Sequence, residues 1–168
     1  MPAPAPRFTP RLRLDPPRLA DVPDLFAFMG DPAAMAHTHP RQSLRDCRRY
    51  VAVHERQRRR TGFAPWTIRE RDGGRIVGWG GLYEDIFDPG WGVEVVYFFH
   101  PAVWGRGYAT ELTRAALAFG REQGLAAVVA FAHPDNRGSR RVLEKSGFVE
   151  DRYLPALDRS FYRLALAP

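Results

Sequence analysis

The 168-residue chain is poor in cysteine and lysine, with only Cys47 and Lys145, and it contains no apolar run of membrane-spanning length. A single cysteine cannot form an internal disulfide, and it is typical of proteins in a reducing compartment. After Met1, residues 2–6 alternate proline and alanine, and they lack the apolar stretch of a secretory signal. We therefore expect a cytoplasmic protein with no membrane partner, in which Cys47 is part of the core.

Negative charge is also scarce, because 25 basic residues stand against 19 acidic ones and give a formal charge of +6. The arginines are scattered along the chain, and their densest group, residues 56–60, ends a predicted helix, where cations complement the helix dipole. An RNA-binding protein needs an exposed basic face with stacking aromatic residues. We expect no specific nucleic-acid partner, and the positive balance suits an anionic small ligand.

The length of the chain and its hydropathy pattern predict one domain. Residues 1–10 are predicted to be a mobile tail, because they begin with a proline- and alanine-rich stretch. Residues 11–168 are predicted to form a single domain with one core. Residues 71–74 have the composition of a hairpin turn, and residues 126–132 are apolar enough for a strand covered on both faces. The predicted order is β-α-α-β-β-β-α-β-α-β-β, an α/β fold with a mixed sheet.

The most informative segment is a glycine loop between a predicted strand and a predicted helix. An apolar stretch, residues 93–99, is followed by Gly105-Arg106-Gly107, and an amphipathic helix begins near Tyr108. The first N–H groups of a helix have no partner inside it, and the helix dipole adds positive potential there. Glycines allow a bulky phosphate to approach the backbone, and Arg106 adds a guanidinium. The segment predicts a phosphate-binding loop.

Three kinds of phosphate-binding loop have a glycine-rich sequence of this type, and each binds a different ligand. A Walker loop needs Gly-x-x-x-x-Gly-Lys-Ser/Thr, which is absent from the chain. A dinucleotide loop needs a third glycine where this chain has Thr110, and it follows the first strand of a βαβ unit rather than a strand in mid-chain. The third ligand is coenzyme A, which a family resemblance carried by this loop and a downstream motif implies.

Three motifs carry a resemblance to the GNAT acetyltransferase superfamily. Residues 104–111 read Trp-Gly-Arg-Gly-Tyr-Ala-Thr-Glu, and residues 136–148 read Asn-Arg-Gly-Ser-Arg-Arg-Val-Leu-Glu-Lys-Ser-Gly-Phe. The opening, residues 11–26, also resembles the branch that contains the ribosomal-protein N-terminal alanine and serine acetyltransferases. The resemblance extends from residue 11 to residue 166. One departure is Ala102, where many members carry Gln or Arg.

The resemblance implies a fold and an activity. The expected fold is a GNAT-like mixed, mostly antiparallel sheet of about seven strands with a splayed central pair and flanking helices. The expected reaction moves the acetyl group of acetyl-CoA to a primary amine by direct attack on the thioester. The acceptor is either a protein N-terminal α-amine, as in ribosomal proteins, or a small-molecule amine or antibiotic. A non-catalytic acyl-CoA-binding regulatory module is the alternative, and homodimers are common in this branch.

The resemblance also assigns the cofactor-binding residues. The pantetheine arm is expected to pair, like an added strand, with the main chain of the strand predicted at residues 93–99. The pyrophosphate is expected on the N–H groups of the glycine loop, and Asn136 is expected to cap a helix and bind the pantetheine. No metal-ligand spacing is present, so we expect no metal. The predicted cofactor-binding residues are Tyr97, Phe98, Phe99, Gly105, Arg106, Gly107, Tyr108, Ala109, Thr110 and Asn136.

Two residues are candidates for catalysis. Glu94 lies in an apolar strand, where burial would raise its pKa toward the value a general base needs; it could equally line the acceptor pocket. Many superfamily members protonate the thiolate with a tyrosine seven residues after the motif asparagine, and here that position is Leu143. In the resembled branch a serine takes this role, and Ser139 matches it. Ser139 is either the acid or a hydrogen-bond donor to the sulfur.

Overall fold

The computed structural model describes residues 5–166, and its centre is one sheet of eight strands in the order β1-β2-β3-β4-β5-β6-β8-β7. Neighbouring strands run antiparallel except for β5 and β6, which run parallel. The mixed, mostly antiparallel sheet expected from the sequence is confirmed. The strands are β1 (Arg7–Phe8), β2 (Leu12–Asp15), β3 (Trp66–Glu70), β4 (Ile76–Glu84), β5 (Val93–Phe99), β6 (Ala127–Ala132), β7 (Val149–Leu154) and β8 (Arg159–Ala165).

In the described part of the chain four α-helices cover the sheet, and local sequence signals set several of their ends. The Ser43 hydroxyl accepts a hydrogen bond from the Asp46 N–H at 3.1 Å at the start of the second helix, and Gly62 ends it at φ +87°. Within the described residues no helix is long and apolar enough to cross a membrane. The helices are α1 (Val22–Met29), α2 (Leu44–Thr61), α3 (Tyr108–Glu122) and α4 (Arg137–Lys145).

The side chains of β5 alternate between two hydrophobic clusters, one on each face of the sheet. Val95 and Phe99 pack with α3 and α4, whereas Val96 and Phe98 pack with α1, α2 and Trp79 of β4. Successive side chains of a strand point to opposite faces. Residues 93, 95, 97 and 99 therefore face α3 and α4, and residues 94, 96 and 98 face α1 and α2. Cys47 is fully buried in the second cluster, as predicted.

The sheet opens between its two central strands. In the described structure β5 and β6 pair at a single position, where Glu94 lies opposite Val129. Beyond that point β5 runs on to Phe99 and β6 to Ala132 without further pairing. The predicted splayed central pair is confirmed, and it leaves a gap through the sheet at the carboxyl ends of both strands.

The sheet has eight strands where about seven were expected. The additional strand is β1, in which Arg7 pairs with Leu14 and Phe8 with Arg13 of β2. Two residues are too few to show an alternating pattern in the sequence. This strand lies within the segment predicted as a tail, residues 1–10, of which residues 1–4 lie outside the described part of the chain.

Candidate active site

A cavity of about 1230 Å³ occupies the gap between β5 and β6. Every predicted site residue except Arg106 lines it. Because the gap passes between strands, the cavity can be reached from the α3–α4 face and from the α1–α2 face of the sheet. One chamber therefore brings together predicted site residues that lie up to 45 positions apart, from Glu94 to Ser139.

The glycine loop forms the floor of the cavity on the α3–α4 face. Gly105 has φ +77° and Gly107 has φ +80°, a left-handed conformation that favours glycine. A Cβ at Gly105 would meet nothing within 4 Å, and at Gly107 it would meet only Arg11 Nη2 at 3.5 Å. The N-cap residue Gly107 makes no side-chain hydrogen bond to the first turn of α3, so the N–H groups of that turn can receive an anion at the position that the sequence predicts.

The turn between β1 and β2 holds this loop in place. The Arg11 guanidinium donates to the Arg106 carbonyl at 2.8 Å and to the Glu111 carboxylate at 2.7 Å. The same carboxylate accepts a hydrogen bond from the Thr9 hydroxyl at 2.6 Å. Sequence analysis had not connected residues 9–11 with the loop, because the contacts span about a hundred residues of chain.

The Arg106 side chain turns away from the cavity. Its guanidinium lies 3.6 Å from the Glu70 carboxylate, which also accepts a hydrogen bond from the Tyr108 hydroxyl at 2.9 Å. The main chain of Arg106 therefore lies at the predicted phosphate site, whereas its charged side chain lies outside it. The lysine and arginines that do line the cavity near α4 are Arg137, Arg141 and Lys145.

Glu94 faces the cavity from the α1–α2 side of the sheet. Burial, and then the negative charges of Asp85 and Asp88, raise the pKa of Glu94 to about 8, although the Tyr83 hydroxyl acts in the opposite direction. Tyr83 lies directly opposite Glu94 on β4. A carboxyl group with a pKa near neutrality can accept a proton from an amine and release it again.

Ser139 faces the same cavity from the other side of the sheet, beside the hydroxyl of Tyr97. The two side-chain oxygens are 2.9 Å apart, and the Ser139 N–H donates to Asn136 Oδ1 at 3.0 Å. Burial raises the pKa of Tyr97 to about 12, so the phenol stays protonated near neutrality. Sequence analysis assigned Tyr97 main-chain contacts only. The alternation of β5 could have shown that its side chain lies on the face opposite Glu94.

The end of the cavity near Glu94 has walls that sequence analysis missed. Aromatic rings and carboxylates from α2, the β4–β5 loop and β6 meet there, and no periodic pattern links these separate segments. His37 and His39 line the cavity as well. His37 stacks on His133 with ring centroids 5.2 Å apart. The missed residues are Tyr50, Asp85, Phe87, Asp88, Trp91 and Phe131.

The site combines side-chain and main-chain groups from both faces of the sheet. Within residues 5–166, no group of three or more His, Cys, Asp or Glu residues is placed to hold a metal ion. The arrangement offers an anion-binding loop, an unpaired strand edge, a carboxyl group on one face and a pair of hydroxyls on the other.

Comparisons with known proteins agree with this geometry. Residues 11–149 match the family model for the acetyltransferase (GNAT) domain. The uncharacterized protein YkkB of Bacillus subtilis (strain 168) is 30% identical over 141 residues, which make up 83% of this chain and 82% of YkkB. The resemblance found in the sequence is confirmed.

Solved structures of low sequence identity share the fold. An acetyltransferase from Agrobacterium tumefaciens str. C58 has a TM-score of 0.83 at 24% identity, covering 96% of this chain and 95% of its own. YncA, a putative acetyltransferase from Salmonella typhimurium solved with its cofactor acetyl-CoA, has a TM-score of 0.74 at 22% identity, covering 93% of both chains. Ribosomal-protein-S5-alanine acetyltransferase from Vibrio fischeri has a TM-score of 0.77 at 12% identity, covering 97% of both chains.

Proposed function

The chain belongs to the GNAT acetyltransferase family, and from that premise we propose that it moves the acetyl group of acetyl-CoA to a primary amine by direct attack on the thioester. The observation that carries this proposal is the cavity that passes through the sheet. An anion-binding loop and two hydroxyls lie on one face of it, and a carboxyl group with a raised pKa lies on the other. The cofactor and the amine can thus approach the same point from opposite faces.

The loop and the strand edge would bind the cofactor. The N–H groups of residues 105–110 would hold the pyrophosphate, and the open space at Gly105 leaves room for it. The pantetheine arm would lie along β5 where its pairing with β6 stops, and it would use main-chain groups of Tyr97, Phe98 and Phe99. One of their N–H groups would stabilise the oxyanion that forms on the thioester carbonyl.

Glu94 would accept the proton that the amine loses. With a pKa of about 8, its carboxyl group is mostly protonated at neutral pH in the free protein. A cationic amine entering beside it would favour the ionised form, because opposite charges stabilise each other. The carboxylate would then take a proton from the amine as the nitrogen bonds to the acetyl carbon.

The two hydroxyls would act on the leaving group. When the carbon–sulfur bond breaks, the electron pair goes to sulfur. The Ser139 hydroxyl would then either stabilise the thiolate by a hydrogen bond or donate its proton to it. A Tyr97 hydroxyl that donates to Ser139 Oγ leaves the serine proton free to point at the sulfur. The residue at the usual tyrosine position is Leu143, which is 1% exposed and cannot take this role.

The acceptor stays open between a protein N-terminal α-amine and a small amine. The likeness to the Vibrio fischeri enzyme supports the first only at the level of the fold, because the identity is 12%. The aromatic walls around Glu94 favour the second, since they make a chamber suited to a small, partly apolar molecule. Glu94 and Ser139 line the same cavity, which favours an enzyme over a non-catalytic module. A homodimer in the cytoplasm remains a prediction.

Titration calorimetry with acetyl-CoA, and with desulfo-CoA as a second ligand, tests the proposal at its base. Micromolar binding of both ligands is expected. With acetyl-CoA bound, addition of an amine should release the free thiol of coenzyme A. Absence of binding would overturn the proposed function. Binding with no thiol release for any amine would favour the non-catalytic acyl-CoA-binding module.

A further inference from the structure

We propose that the acceptor amine carries a second positive charge, which Asp85 and Asp88 bind while the reacting amine lies at Glu94. This inference rests on the proposed acetyl transfer and names the chemical class of its acceptor. Diamines are the simplest members of that class, and a peptide whose N-terminal residue is followed by lysine is another.

The first observation is that all three carboxylates lack a cationic partner. Within residues 5–166, none of Asp85, Asp88 and Glu94 forms an ion pair with an arginine, lysine or histidine. The chain carries 25 basic residues, so cations were available. All three side chains line the cavity. The negative charges of the two aspartates are therefore left for a ligand to neutralise, and the Glu94 carboxyl group is left for the reacting amine.

The two aspartates are held in fixed positions by their own loop. Asp85 Oδ1 accepts hydrogen bonds from the N–H groups of Phe87 and Asp88 at 2.7 Å and 3.2 Å. Asp88 Oδ2 accepts one from Trp91 Nε1 at 3.0 Å. The other oxygen of each carboxylate has no hydrogen-bond donor among the described residues. An acceptor can bind there without first displacing a protein group, which lowers the cost of ordering the site.

Two of the cations that line the cavity, Arg41 and Arg159, make other contacts, and the remaining three belong to α4, on the face of the sheet opposite Glu94. The Arg41 guanidinium lies 4.4 Å from the ring centre of Tyr50, and it donates to the His39 carbonyl at 2.8 Å. Arg159 donates to the carbonyls of His37 and Asp158. The charges that act on Glu94 are those of Asp85 and Asp88, and both are negative. The potential around Glu94 thus favours cations and opposes anionic acceptors.

The walls between the carboxylates are aromatic. Tyr50, Phe87, Trp91 and Phe131 line this end of the cavity, and the rings of Tyr50 and Phe87 are parallel to within 6°. Aromatic faces attract ammonium groups and pack against short methylene chains. Carboxylates joined by such walls match an amine whose two cationic ends are separated by a short apolar linker.

Three amines of equal chain length test the inference: 1,5-diaminopentane, 1-aminopentane and 5-aminopentanoate. Thiol release is measured for each at one pH with saturating acetyl-CoA. After a twofold correction for its two equivalent amines, the diamine should exceed the monoamine in kcat/KM by about 10- to 100-fold, as expected for contacts between a cation and carboxylates. The anionic amine should be poorest. Equal values for diamine and monoamine would overturn the inference.

The dipeptide amides Ala-Lys and Ala-Leu distinguish the two sources of the second charge. If the natural acceptor is a peptide N-terminus, Ala-Lys should exceed both Ala-Leu and the diamine. If it is a free diamine, 1,5-diaminopentane should be the best of the panel. Two equally poor dipeptides and a diamine no better than the monoamine would contradict both.

The variants Asp85→Asn and Asp88→Asn locate the effect. An asparagine keeps an oxygen for the loop hydrogen bonds and removes only the charge, so the loop should persist. The expected result is a fall of about tenfold in the ratio of diamine to monoamine activity. Because both amines use Glu94, this ratio is insensitive to changes at Glu94. Asp72→Asn, on the exposed β3–β4 turn, is the matched control and should leave the ratio unchanged.

The failure of this inference can be told apart from failure of the proposed function. No binding of acetyl-CoA would overturn the acetyltransferase proposal itself. Thiol release with all amines at similar rates, and a ratio unaffected by Asp85→Asn and Asp88→Asn, would overturn the second-charge inference alone. Binding of acetyl-CoA without transfer to the diamine or to Ala-Lys would also overturn it.

Discussion

Replacing Glu94 with glutamine should make the protein more stable above about pH 5, although it removes the proposed base. Burial and the neighbouring aspartates raise the pKa of Glu94 from 4.5 to about 8 in the folded protein. In the unfolded chain the same carboxyl group ionises near its ordinary value, about 4.3. Between these two values the folded state holds a proton that the unfolded state has lost.

The size of the effect follows from the difference in pKa. Each unit of difference corresponds to about 1.4 kcal/mol, and a rise from 4.5 to about 8 therefore removes about 5 kcal/mol of stability. Below pH 4.5 the carboxyl group is protonated in both states and no stability is lost. The loss grows as the pH rises and is complete once the pH has passed about 8. A glutamine cannot ionise, so the variant escapes the loss.

Urea unfolding of the two proteins at pH 5, 6.5 and 8 measures this difference. The advantage of Glu94→Gln should be small at pH 5 and should grow to several kcal/mol at pH 8. Glu84→Gln, at an exposed position on the adjacent strand β4, is the matched control and should show no such trend. The reasoning would be refuted by an advantage that is the same at every pH, or by a variant less stable than the parent at pH 8.

Three further predictions concern activity. The kcat/KM for the amine should rise with pH up to an inflection near 8, and Glu94→Gln should remove that inflection; a profile shared by both proteins would assign Glu94 a positioning role. Gly107→Val, at φ +80°, should abolish acetyl-CoA binding in calorimetry, whereas Gly73→Val, at φ +74° in an open turn, should bind normally. Tyr97→Phe and Ser139→Ala should each lower kcat about tenfold with little change in the KM for acetyl-CoA. Because the hydroxyls act as a pair, the kcat of the double variant should fall no further than that of either single variant. Additive losses would show that they act separately.

Much of the fold could be predicted from sequence because its signals are local. Gly105 and Gly107 stand between an apolar strand and an amphipathic helix, and their left-handed backbone is a property of the glycines themselves. Asn136 caps α4 through a hydrogen bond that spans only three residues. The alternation of β5 likewise belongs to the strand alone. Strand β1 escaped prediction, because two residues carry no periodicity and their pairing depends on β2.

The site was predicted less completely because much of it is made by contacts between distant segments. Tyr97 and Ser139 are 42 residues apart, and only the packing of α4 against the sheet brings their hydroxyls together. The guanidinium of Arg106 is a group that commonly binds phosphate, yet an ion pair with Glu70 on β3 turns it away from the cavity. The wall that includes Trp91 comes from a loop without a sequence pattern.

The sequence by itself determined the family, the order of the elements and the position of the glycine loop before α3, because backbone conformation at glycines and helix caps is decided within a few residues of chain. Only the tertiary structure decided the protonation of Glu94. Its raised pKa comes from burial in the splayed sheet and from Asp85 and Asp88, whose loop is folded against that opening. The solvation of a charge and its distance from other charges depend on the whole packed chain, so no local pattern could have specified them.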